Sequence, residues 1–142
     1  MPVLTADAAT SDLRAHSVLI VDESEENREV LRTVLARRGL EIYEAAEGRS
    51  GLSLARAHHP DVIVLDLDAA ALDESPVRAG FAAESGDRQS SLVVLGRARR
   101  YPELNASAGE VAKPYHYAAL VNKIEQLVQR HRGFEVSRAE SS

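Results

Sequence analysis

The sequence predicts an α/β domain in which helices cover both faces of one parallel sheet, and three observations carry that expectation. Aliphatic runs at 17–21, 62–65 and 92–95 lack polar alternation, as strands buried on both faces require. Segments with helical spacing of apolar residues separate them, so strand and helix alternate and the crossovers are right-handed. At 142 residues the chain holds one real core but not two full domains.

The elements follow in order. Residues 1–16 are small and polar without an apolar period and read as a flexible leader. Strand one covers 17–21. Ser24 can cap the next helix, which carries Glu25 and Glu26 at its positive end and Val30, Leu31, Val34 and Leu35 as its apolar stripe, and Gly39 ends it. A weaker strand spans 40–44. The second helix, 49–58, buries Leu52, Leu54 and Ala55 before Pro60 stops it. His58 and His59 at its C-terminus suit the negative end of the dipole better than a metal. Strand three spans 62–65, and an Ala-rich third helix at 75–85 precedes strand four at 92–95.

The stretch from Gly96 to Lys113 is short for a full helix, and Pro102 and Gly109 interrupt it. A short strand at 110–112 is followed by a helix at 117–130 with Leu120, Ile124, Leu127 and Val128 on one face. The domain thus runs over 17–132, and 133–142 read as a flexible tail. Five such strands fit the flavodoxin-like order 2-1-3-4-5, with the fourth helix shortened or irregular, and that architecture binds ligands at the C-terminal ends of the central strands.

Composition narrows the function classes. The chain is 44% hydrophobic and 27% charged, as a folded protein should be, and its 0 cysteines remove disulfides, thiolate metal sites and thiol nucleophiles. A reducing compartment, the cytoplasm, is the expected location. No apolar run approaches the roughly 18 residues that span a bilayer. The formal net charge of -5 disfavours direct binding to nucleic acid.

Polar residues at the strand ends carry the chemistry. Asp22 and Glu23 follow strand one, Asp66 follows strand three, and Lys113 with Pro114 stands before the last helix. In the expected fold these converge on one rim. Crowded carboxylates repel unless a cation neutralises them, and a hard divalent ion with oxygen ligands, Mg²⁺, meets that need. It would also screen an incoming phosphoryl donor, while Lys113 neutralises the transferred oxygens and Asp66 acts as the nucleophile.

With those motifs together, Val21-Asp22-Glu23, an apolar strand ending in Asp66, and Lys113-Pro114, the chain resembles the receiver domain of two-component response regulators over about 17–130. The resemblance implies that Asp22 and Glu23 hold the metal with Asp66, that Asp68 offers its backbone carbonyl to the ion, that Asp66 is phosphorylated and that Lys113 contacts the phosphoryl group. It also implies a histidine kinase or phosphotransfer protein as donor and a downstream protein target, with no catalysis beyond self-phosphorylation and autodephosphorylation. A homodimer through the face of strand five and its flanking helices is a further possibility within such a family. With no separate DNA-binding domain expected after the last helix, output is expected through protein contacts.

The departures from the family concern the switch. Gly96 stands where receivers have a Thr or Ser hydroxyl, and Glu110 where an aromatic residue normally swings inward. Ala69, Ala70, Asp73 and Glu74 replace the usual residues after the acceptor. Arg97, Arg99 and Arg100 form a basic cluster; a solvated face explains it, and the sharper reading sends Arg97 to the phosphoryl site in place of the hydroxyl. Tyr115, His116 and Tyr117 receive no chemical role. The leading alternative is a pseudo-receiver that binds partners without phosphorylation. Leu65-Asp66-Leu67-Asp68 also resembles the nucleophile motif of haloacid-dehalogenase-like phosphatases, but two strands precede Asp66 and no acidic pair follows Lys113.

Overall fold

The structure, a computed structural model, describes residues 16–86, 90–104 and 107–141, with 132–141 described by backbone. The elements are β1 (Ser17–Val21), α1 (Glu25–Ala36), β2 (Glu41–Ala45), α2 (Gly48–His58), β3 (Val62–Asp66), α3 (Ser75–Gly86), β4 (Ser91–Leu95), β5 (Gly109–Val111) and α4 (Tyr117–Ser141). Two 3-10 turns, Ala98–Arg100 and Pro102–Leu104, take the place of a helix between β4 and β5. All strand pairs are parallel and the order is β2-β1-β3-β4-β5, the flavodoxin-like topology the alternation predicts.

Local chemistry sets the boundaries. The Ser24 hydroxyl accepts the Asn27 N–H at 3.2 Å and so satisfies one of the open donors at the start of α1. Gly39, at φ +84°, supplies the left-handed turn that ends the first crossover. At the end of α2 the capping group is the His59 backbone, whose N–H donates to the Ala55 carbonyl, while the His58 ring stacks on Tyr43 at 4.2 Å.

Because side chains alternate along a strand, the sheet feeds two cores. Leu19, Val21, Ile63, Leu65, Leu92 and Val94 pack with Leu52, Val77 and Phe81 beneath α2 and α3. Val18, Ile20, Val62, Val64, Val93 and Leu95 pack with Leu31, Leu35, Leu120, Ile124 and Leu127 beneath α1 and α4. Polar side chains are thereby excluded from the sheet interior and gather at its ends.

Two boundaries differ from expectation. α4 continues to Ser141, beyond residue 130 and through the segment read as a tail. A helical glycine such as Gly133 costs only about 1 kcal/mol, and the charged residues after it are good helix formers. His16, assigned above to the leader, is buried, with Nδ1 3.1 Å from Asp61 Oδ2, so it belongs to the folded body. The rest of the expected leader, 1–15, lies outside the described residues. No helix among the described residues is long and apolar enough to cross a membrane.

Candidate functional site

Three segments deliver one cluster to the C-terminal edge of the sheet. Val21 is paired with Leu65 and Asp66 with Leu95, so Asp22, the residue after β1, stands beside Asp66 at the end of β3. This is where the winding of the sheet reverses, the place where open α/β sheets bind ligands. On the other side Leu95 is paired with Val111, and Lys113 follows two residues later. Its Nζ lies 2.5 Å from Asp66 Oδ1 and 3.0 Å from Asp68 Oδ2. Asp22, Asp66 and Lys113 are therefore brought together as the sequence leads one to expect.

Both central acids are buried, Asp22 at 1% and Asp66 at 4% exposure. Asp22 Oδ1 accepts the Ser24 N–H at 2.8 Å, Oδ2 accepts from the Asn27 amide at 3.4 Å, and the Arg28 guanidinium donates to the Asp22 carbonyl. Burial pushes the Asp22 carboxyl above the ordinary aspartate range, with the Ser24 N–H opposing and the neighbouring Asp66 charge adding to the rise. Asp66 Oδ1 also accepts the Asp68 N–H at 3.0 Å. For Lys113, burial pulls the ammonium down, but its hydrogen bonds to Asp66 and Asp68 outweigh that and hold it above an ordinary lysine.

Glu23 is exposed in the bend after Asp22. Among the described residues no three acidic or histidine side chains converge as a ready metal cage. The buried pair Asp22 and Asp66 nonetheless suits Mg²⁺, which keeps several waters and takes only one or two carboxylates from the protein. Burial first, and then the Asp66 charge, make an ionised Asp22 costly here, and a bound cation would offset that cost.

Asp68 has a different place from the one its backbone alone would suggest. Its side chain is shared by two cations, Lys113 through Oδ2 and Arg100 through Oδ1 at 2.7 Å. Those hydrogen bonds, Arg100 first, hold its carboxyl below the usual range, so it stays ionised and is a poor general acid. That argues against phosphatase-type chemistry. Of the basic cluster, Arg100 is the member at the rim; Arg97 is exposed and starts the 3-10 turn.

At the altered positions, Gly96 has φ +124°, a conformation side chains rarely adopt. Glu110 is exposed, and its Oε1 accepts the Ala98 N–H at 3.2 Å, anchoring the turn that carries Arg100. Tyr115, given no role from sequence, buries its hydroxyl with no hydrogen-bond partner among the described residues. Burial, then the charge of Asp22, pushes that phenol up to about 12. Its position directly after Lys113-Pro114 was the available signal; its burial was not visible in sequence.

Comparison with known proteins bears on the family and the fold. The family model described as response regulator receiver domain matches residues 18–73. The "Probable transcriptional regulator ycf27" of Cyanophora paradoxa is 31% identical over 121 residues, covering 84% of this chain and 51% of that protein. The chain thus spans about half the length of the curated relatives it matches. Among solved structures, chemotaxis response regulator CheY4 of Vibrio cholerae is similar in fold, with a TM-score of 0.67 and 22% identity over 80% of this chain and 98% of that one. The receiver domain of sensor histidine kinase PA1611 from Pseudomonas aeruginosa PAO1, with magnesium coordinated in its active-site cleft, has a TM-score of 0.67 and 19% identity, covering 81% and 98%.

Proposed function

Given that this chain carries a response regulator receiver domain, the signalling module of two-component systems, we propose that Asp66 accepts a phosphoryl group from a histidine kinase or phosphotransfer protein and that the signal leaves through protein contacts. The observation that carries this reading is the Lys113 ammonium 2.5 Å from Asp66 Oδ1, with Asp22 alongside at the ligand-binding edge of the sheet. In the transfer, an Asp66 carboxylate oxygen attacks phosphorus, the bond from phosphorus to the donor nitrogen breaks, and the nitrogen keeps the electron pair. Lys113 stays against the acceptor and neutralises the oxygens that arrive.

Asp22 and Asp66, with Glu23 and the Asp68 carbonyl at the rim, would hold Mg²⁺, which when bound offsets the negative charge of acids and phosphoryl group. The cytoplasm, where such donors reside, is the corresponding location. The test is intact-mass measurement after mixing with Mg²⁺ and acetyl phosphate. One added phosphoryl group, lost in Asp66→Ala, is expected; an unchanged mass in the native protein would defeat the proposal.

A second reading has specific support. Gly96 has no hydroxyl and Glu110 is tied to the Ala98 N–H, so the residues by which receivers change shape are missing or engaged elsewhere. A pseudo-receiver that binds partners without phosphorylation is the function this favours. Calorimetric titration with Mg²⁺ separates the two: measurable affinity lost in Asp22→Asn supports phosphoryl transfer, and indifference to Mg²⁺ supports the binding module.

A further inference from the structure

The basic side chain at the rim is oriented by an acid. Arg100 Nη1 donates to Asp68 Oδ1 at 2.7 Å while Lys113 Nζ donates to Asp68 Oδ2 at 3.0 Å, so two cations converge on the two oxygens of one carboxylate. The Asp68 N–H donates in turn to Asp66 Oδ1, which places this doubly bridged anion beside the acceptor. Arg100 is set by its turn: Ala98–Arg100 begins two residues after Gly96, Glu110 anchors the Ala98 N–H, and the guanidinium lies over the Tyr101 ring at 5.0 Å.

We propose that Arg100 is a second phosphoryl-binding cation of this site, and that Asp68 holds Arg100 and Lys113 until phosphoryl oxygens displace it. The inference rests on Asp66 being the acceptor. Its physical basis is competition. The Arg100–Asp68 pair is half exposed on both sides, 50% and 53%, and pairs of that kind are weak and readily exchanged. A phosphoryl group carries more charge than a carboxylate and offers three acceptor oxygens, and a guanidinium matches them in a forked geometry. Arg100 would then supply, from the turn after Gly96, the contact that a hydroxyl at position 96 cannot make. Phosphorylation would free Asp68 and draw the 3-10 turn toward the acceptor, giving the domain a response without the usual switch residues.

The test is titration of the whole protein with beryllium fluoride and Mg²⁺, followed by fluorine NMR. Arg100→Gln is expected to weaken binding about two- to fivefold, as loss of an exposed charge contact should. Asp68→Asn, which keeps the backbone carbonyl, is expected to tighten it. The double variant distinguishes competition from a simple change of charge: competition makes the gain from Asp68→Asn shrink once Arg100 is gone, whereas bulk electrostatics leaves the two effects additive. Unchanged affinity in Arg100→Gln, or strict additivity, overturns the inference while leaving Asp66 as acceptor. Failure of the native protein to bind the probe overturns both.

Discussion

Lys113 Nζ meets Asp66 Oδ1 at 2.5 Å across 47 residues of chain, and the two sides of that pair differ in exposure, 35% for the lysine and 6% for the aspartate. The lysine can be solvated when the pair opens. The aspartate cannot, and it has Asp22 beside it. The contact is therefore both the neutralising device of the site and a structural dependency of the sheet edge.

Lys113→Met is expected to destabilise the protein by about 2–3 kcal/mol, since removing one partner leaves a buried charge uncompensated. Adding Asp66→Asn to that variant should restore most of the loss, because the orphaned charge goes with it. Urea unfolding of the two single variants and the double variant measures this. Purely additive losses would show that the pair is energetically idle.

Asp22 carries the opposite lesson. Its carboxyl is held above the ordinary value by burial, less the help of the Ser24 N–H, and by the Asp66 charge. With the folded value raised above the unfolded 3.8, its contribution favours folding below about pH 4 and is lost as pH rises through the folded value. At neutral pH the ionised acid therefore costs stability. Asp22→Asn, which keeps an oxygen for the Ser24 N–H, is expected to raise the unfolding midpoint at pH 7. Added Mg²⁺ should stabilise the native protein more than the variant. Thermal scans with and without Mg²⁺ check both; a variant less stable than the native protein contradicts the argument.

The parts legible in sequence are those governed by period and by strand ends. Asp22, Asp66 and Lys113 each abut an aliphatic run, so once the alternation implies a parallel sheet, register brings them together. The partner of Asp68 is hidden because Arg100 sits on a 3-10 turn in a stretch with no periodicity, where the sequence points to Arg97, the arginine next to Gly96, and it is Arg100 that reaches the rim. The Tyr115 hydroxyl was hidden because burial of one atom is a tertiary property. The far end of α4 was misjudged because composition around Gly133 resembles both a tail and an exposed helix.

Gly96 tests whether the missing hydroxyl is a simple substitution. At φ +124° the backbone there excludes ordinary side chains, so Gly96→Thr is expected to lose about 1–3 kcal/mol from backbone strain. Gly96→Ala should lose a similar amount, since the cost lies in the backbone and the nearest atoms to a new Cβ, on Leu67, are at an ordinary 3.4 Å. Denaturant unfolding of both variants measures it. A threonine variant as stable as the native protein would show that the loop relaxes and that the hydroxyl can be reinstated.

Tyr115 gives the pH prediction. Its buried hydroxyl has no hydrogen-bond partner among the described residues, and burial together with the Asp22 charge pushes the phenol from 10.0 up to about 12. The folded value lies above the unfolded one, so the stabilisation from keeping Tyr115 neutral is fully present below about pH 10 and disappears as pH rises toward about 12. The raised Lys113 ammonium acts in the same direction in the same alkaline range. The Tyr43 and Tyr117 phenols are also raised, but Tyr115 should be the last to ionise in tyrosinate absorbance, and Tyr115→Phe should abolish that last phase. The same variant should be at least as stable at neutral pH, by up to about 1 kcal/mol, because it deletes a buried donor that nothing accepts. Marked destabilisation in Tyr115→Phe would contradict this account, because it would show that the hydroxyl contributes a hydrogen bond to the folded state.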